Sequence, residues 1–103
     1  MNKLVYDKID EVLFHEQLDN GLNVYLLQKS GFSKSYVTFS TKFGSLEEQI
    51  YNDDETIDLP HGIAHFLEHK LFEQNGVDVS TTFALQQANV NAYTQNNRTT
   101  YLF

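Results

Sequence analysis

The sequence has no cysteine, one proline, and only seven basic residues against fourteen acidic ones. Each scarcity excludes something. Without thiols there is no disulfide framework and no thiolate metal site, so any metal must be held by His, Asp or Glu. The six Lys and one Arg are scattered, and the formal net charge is −7. A nucleic-acid binder needs a basic stripe to neutralise phosphates, and an anionic membrane attracts the same kind of cluster, so neither partner is expected. No apolar run approaches the length of a transmembrane helix. Met1–Asp10 intersperses charged residues among apolar ones instead of forming a continuous secretory h-region. A cytoplasmic location is the default expectation.

What is present is globular in character. The 103 residues are 41% hydrophobic and 20% charged, with six Tyr and eight Phe. That composition supports one modest domain with a small core. The acidic excess gathers in Glu47–Asp58, which reads as a polar, solvated connection.

The pattern along the chain predicts an α+β fold, an antiparallel-dominated sheet with helices packed on one face. Asp19-Asn20-Gly21 separates two apolar-rich arms, which predicts a hairpin over about 12–28 with both turn residues at positive φ. Partial alternation predicts a strand over 36–43, ending at Gly44. Pro60 suits a first helical turn and Asp58 lies just ahead of it. Ile63, Phe66, Leu67, Leu71 and Phe72 then recur at helical spacing, so a helix is expected over 60–74, stopped by Asn75-Gly76. A second helix is expected over 80–88 with Ser80 as its cap, followed by two short strands within 91–103 about Gln95-Asn96-Asn97. Phe66, Phe72, Tyr36 and Phe39 are the expected aromatic core. The last residues, Tyr101-Leu102-Phe103, are an apolar run without a polar terminus, so a longer parent chain is expected.

Chemistry concentrates in His65-Phe66-Leu67-Glu68-His69, an H-x-x-E-H pattern. Residues four apart share one helical face at about 6 Å, so two imidazoles can reach one zinc ion. Glu68, one residue before His69, is rotated by about 100° from it and can serve as a general base instead of a ligand. His61 lies on the same stripe, but His61 and His69 are about 12 Å apart along a helix axis and cannot share an ion. Glu73 fails in the same way when paired with His65. His15 reads as ordinary strand surface or packing.

The stretch Gly62-Ile63-Ala64-His65-Phe66-Leu67-Glu68-His69-Lys70-Leu71-Phe72-Glu73 resembles the insulinase/pitrilysin metallopeptidases. Leu18-Asp19-Asn20-Gly21-Leu22 is similar to that family's opening hairpin, and Phe43-Gly44-Ser45 to its strand ending in Gly-Ser. Asn91-Ala92-Tyr93-Thr94 with Arg98-Thr99-Thr100-Tyr101 resembles its N-A-x-T … T-x-Y segment. These pieces occur in the family's order, and they lie closest to a bacterial subgroup with H-G-x-A-H-F-L-E-H-K.

The resemblance implies the first part of an αβ roll domain with His65 and His69 as zinc ligands and Glu68 as general base. Asn91 and Ala92 would line the strand on which a peptide substrate is added as a further β-strand. It also implies a third ligand, a Glu roughly seventy to eighty residues beyond the second His, past the last residue of this sequence. This chain alone is therefore expected to be inactive. Its partners would be the remainder of its own chain or a second peptidase-like subunit, and an exposed edge strand would favour self-association. Relatives with degenerate motifs act as non-catalytic scaffold subunits, which leaves a partner-subunit role as the alternative to a zinc endopeptidase.

Overall fold

The computed structural model describes residues Met1–Phe103, the side chain of Gln74 excepted. The chain forms two compact units, Met1–Ser35 and Tyr36–Phe103, where one domain is expected from length alone. No helix among the described residues is long and apolar enough to cross a membrane.

The first unit is an antiparallel sheet of β1 (Asn2–Tyr6), β2 (Glu11–Gln17) and β3 (Asn23–Leu27), in that order. Strand β1 is not anticipated from the sequence, because Asn2 and Lys3 precede a run of only three apolar residues and Asp7 follows it directly. It pairs with β2 along its whole length, from Asn2 opposite His15 to Tyr6 opposite Glu11. The β2–β3 hairpin is where the Asn-Gly signal places it, but its turn is of another kind. Gly21 N–H donates to Leu18 O and Leu18 N–H to Leu22 O, both at 2.8 Å. Gly21 has φ +84°, whereas Asn20 is not among the residues at positive φ. This is a three-residue loop closed by a glycine bulge, with Asn20 Oδ1 accepting from Leu22 N–H at 3.0 Å. Lys29 and Glu11 form an ion pair across this unit.

In the second unit, β4 (Thr38–Thr41), β9 (Asn91–Thr94) and β10 (Thr99–Leu102) make an antiparallel sheet in the order β4-β10-β9. Mutual bonds between Val37 and Phe103, at 3.0 and 2.9 Å, carry the β4–β10 ladder one residue further. The acidic stretch expected as a loop contains a hairpin, β5 (Gln49–Asn52) with β6 (Glu55–Asp58), turning at Asp53-Asp54. Ile50 opposite Ile57 and Tyr51 opposite Thr56 supply cross-strand pairs that charge counting overlooks.

The motif helix α1 is shorter than expected, Ile63–Leu71. Asp58 is committed to β6, Pro60 lies in the turn ahead of the helix, and Gly62 with φ +82° takes the N-cap without a side-chain cap. After Phe72 the chain does not merely stop being helical. It turns through a small ladder, β7 (Glu73–Gln74) with β8 (Val77–Asp78), at Asn75 (φ +53°) and Gly76 (φ +75°). The turn with two positive φ values, expected at Asn20-Gly21, is here. Helix α2 spans Val79–Leu85, and its cap is Asp78, whose Oδ1 accepts from Ser80 N–H at 2.8 Å; Ser80 itself lies inside the helix.

Both helices meet the same face of the β4-β10-β9 sheet. Tyr101 of β10 lies 6.0 Å (ring centroids) from Phe72 and 6.5 Å from Phe39, and Phe83 of α2 reaches Phe103 at 5.6 Å. Phe103 is two residues beyond Tyr101 and so shares its face. Of the aromatics expected in the core, Phe72 is half-buried against Tyr101, and Phe39 lies beside Tyr101 but remains exposed. Phe66 and Tyr36 are exposed as well, Phe66 because its helical position turns it away from the sheet.

Gly44 is where this unit is tightest. A Cβ there would fall 2.4–2.5 Å from Gln95 O, Arg98 N and Asn96 O, the backbone of the β9–β10 turn. Ser45 N–H and Leu46 N–H donate to Gln95 O and Asn96 O at 2.9 and 3.0 Å, so the approach is bonded as well as close. Gly44→Ala is expected to lower unfolding stability by about 1–3 kcal/mol, because backbone must move to admit the methyl group. Urea denaturation of the two proteins measures it. The cap of α2 makes a second prediction. Bonds from the Ser80 side chain and N–H hold the Asp78 carboxyl below its ordinary 3.8. Its contribution is therefore present above about pH 4 and fades as pH falls through the lowered value. Asp78→Asn, which can still cap, is expected to remove that part of the acid dependence in a pH series of thermal melts.

Candidate active site

Helix α1 faces the sheet with Ala64, Glu68 and Phe72, residues spaced by one turn. Ala64 is 2% exposed and Phe72 contacts Tyr101, so Glu68 is set between two residues turned toward β9 and β10. The adjacent stripe carries His65 and His69, both exposed. Their Nε2 atoms are 2.8 Å apart, and the rings stack with centroids at 4.8 Å and planes at 7°. Two imidazole nitrogens thus converge on one point above the helix.

That donor set fits two ligands of a zinc ion. With Zn–N bonds of about 2.0–2.1 Å, tetrahedral geometry sets the nitrogens about 3.3 Å apart, which a small rotation of either ring supplies. Among the described residues no group of three His, Cys, Asp or Glu is placed to hold an ion. His61 lies in the turn before α1, off the helical stripe, and Glu73 lies in β7, paired with Lys70 at 3.2 Å. His15 is in the other unit, stacked on Tyr25 at 4.6 Å and bonded to Asn23 Oδ1 at 2.9 Å. Within the second unit, neither His61 nor Glu73 approaches the pair as a third donor.

Glu68 is half-buried, and its Oε2 accepts a hydrogen bond from the Thr94 hydroxyl of β9. Tyr101 lies close enough to sense the same carboxylate. Burial first, and the Glu68 charge second, push the phenol above its ordinary 10.0. Neither Thr94 nor Tyr101 is singled out as a site residue by the sequence reading. The signal was the strand period: Thr94 and Tyr101 pair across to Thr99 and Ala92, which puts all four on the helix-facing side.

Asn91 and Ala92 lie on β9, the outer strand of the described sheet. Gln95 N–H bonds Arg98 O across the hairpin at 2.8 Å, so by alternation the amides of Ala92 and Thr94 point away from β10. Ala92 N–H is engaged by Asn91 Oδ1 at 2.9 Å. Arg98 Nε donates to Gln95 Oε1 at 2.7 Å, a bond internal to the hairpin.

No family model matches the chain. It is 48% identical over 100 residues to YmfH of Bacillus subtilis strain 168, which is described as an uncharacterized zinc protease; the match covers 95% of this chain and 23% of that one. It is 31% identical over 101 residues to a Bacillus subtilis protein that bears the name zinc protease AlbF, covering 98% of this chain and 24% of that protein. Among solved structures, an M16-like peptidase from Alicyclobacillus acidocaldarius aligns with a TM-score of 0.81 and 38% identity, over 89% of this chain and 22% of its own. The chain spans about a quarter of the length of the curated relatives it matches.

The raised Tyr101 value carries a sign. A phenol that holds its proton more tightly when folded contributes stability that is intact below about pH 10 and is lost as pH rises beyond it. Tyr101→Phe is expected to flatten that alkaline decline relative to the parent protein, as read from denaturation midpoints between about pH 9 and 11.

Proposed function

We infer, for a chain that belongs to the insulinase/pitrilysin family of metallopeptidases, that the full-length protein is a zinc-dependent endopeptidase acting on peptides or extended polypeptide segments. The observation that carries this reading is the division of labour on α1. Two imidazole nitrogens converge on one side at 2.8 Å, while the carboxylate one residue before the second His turns toward the sheet.

His65 and His69 would hold the ion through Nε2. Bound there, zinc supplies Lewis acidity toward a carbonyl and acidifies a water molecule into a nucleophile near neutral pH. Glu68 would accept a proton from the attacking water and pass it to the leaving amine. It needs to do so from outside the ligand set, which its helical offset allows. Substrate lies along β9. The outward backbone groups of Ala92 and Thr94 offer ladder bonds to an extended peptide, with Asn91 beside them, giving affinity with little demand on sequence. Zinc peptidases use three protein ligands, so a third donor comes from the remainder of the protein or from a second subunit, and residues 1–103 by themselves are inactive. A cytoplasmic location goes with this reading and rests on composition.

Glu68→Gln in the full-length protein is expected to keep zinc and to lose peptide cleavage by about 10²–10⁴-fold. His65→Ala is expected to lose the zinc itself. Zinc content by elemental analysis, together with cleavage of an unfolded polypeptide, measures both. A parent protein that binds zinc but cleaves no more than its Glu68→Gln variant would instead favour the scaffold-subunit role.

A further inference from the structure

The hydrogen bond between the Thr94 hydroxyl and Glu68 joins two pieces of sequence 26 residues apart, one on a helix and one on a strand. Its direction is constrained. A threonine hydroxyl has one proton to give. Thr99, only 1% exposed, gives its own to Phe43 O at 2.8 Å. An ionised carboxylate only accepts, so the proton of Thr94 goes to Glu68, and the longer 3.4 Å approach of Thr94 Oγ1 to Thr99 Oγ1 is left with no proton between the two oxygens. A bond to a charged acceptor is also the stronger choice.

A glutamate reaches its target through three rotatable bonds and, left alone, samples many positions. Threonine is the opposite, since branching at Cβ restricts χ1. A hydroxyl on a hydrogen-bonded strand is therefore a fixed peg for a flexible acid. The peg holds one oxygen, Oε2, and a carboxylate has a second with which to take and give a proton. The neighbouring strand holds Thr99 to Phe43 O, just before Gly44, whose own position depends on the β9–β10 turn.

We propose that Thr94 is a positioning residue that orients the Glu68 carboxylate for proton transfer through its hydroxyl, an assignment that rests on Glu68 being the general base. Thr94 touches neither ligand nor reacting atom. It acts through Glu68, and its loss is expected to appear in turnover.

The test uses the full-length, zinc-loaded protein and four variants. Thr94→Val preserves shape and removes the hydroxyl; kcat is expected to fall about 10–100-fold, with KM, zinc content and thermal midpoint unchanged. Thr94→Ser restores the hydroxyl and is expected to recover most of kcat. Adding Thr94→Val to Glu68→Gln is expected to cost nothing further, because the group being positioned is already gone. Wild-type turnover in Thr94→Val would overturn the proposal. So would equal losses in the Val and Ser variants, a loss that tracks zinc content or midpoint, or a further loss in the double variant. Full activity in Glu68→Gln alone would refute the general-base reading, and is scored separately from the behaviour of Thr94.

Discussion

A helix of nine residues lies against a three-stranded sheet because the residue at the point of contact is an alanine. Ala64 is 2% exposed and Tyr101 is 8% exposed, and they are the two apolar side chains buried in the described structure. A larger residue at position 64 would lift the helix away from β9 and β10. One turn later on the same stripe comes Glu68, and one turn after that Phe72 against Tyr101. The distance from helix to sheet thus sets where the carboxylate ends and whether a strand hydroxyl can reach it.

From this docking follows a separation of roles by angle. His65 and His69 share a stripe and point outward; Glu68, turned by about 100° from His69, points to the sheet. The sheet beneath is polar where it is most buried, since Thr99 and Thr100 are 1% and 3% exposed. Their hydroxyls are paired, Thr99 to Phe43 O and Thr100 to Ser40 Oγ at 2.9 Å, and no buried side-chain polar atom among the described residues lacks a partner. Thr99 belongs to the helix-facing side with Thr94 and Tyr101, and Thr100 to the opposite side, so bonded hydroxyls lie on both faces of β10.

How much of this is legible in the sequence depends on the range over which each feature is decided. The H-x-x-E-H spacing is local, and a single helix turns it into geometry. The β9–β10 hairpin is local as well, since Gln95 to Arg98 holds its own turn signal. Other features are settled by competition between neighbours. Asp58 suits a helix cap, yet its strand pairs with Gln49, whose Nε2 donates to Asp58 Oδ1 at 2.8 Å. Asn20-Gly21 and Asn75-Gly76 are identical dipeptides that adopt different turns. The first lies in a three-residue loop and the second in a two-residue one, and loop length, not dipeptide identity, selects the backbone. The Thr94–Glu68 bond spans elements that only tertiary packing brings together, and no local pattern announces it. Strand β1 is hidden for another reason, because it is short and begins with Asn2 and Lys3, polar residues that a solvated sheet face tolerates.

Asn91 places its own side-chain oxygen on the amide of Ala92, at the open border of β9. A border strand with bare amides recruits any extended chain, including another copy of itself. Here one of those amides already has an acceptor supplied from within. Pairing at that rung would only exchange one bond for another, so the border of β9 is less adhesive at Ala92 than its position at the sheet edge alone would make it.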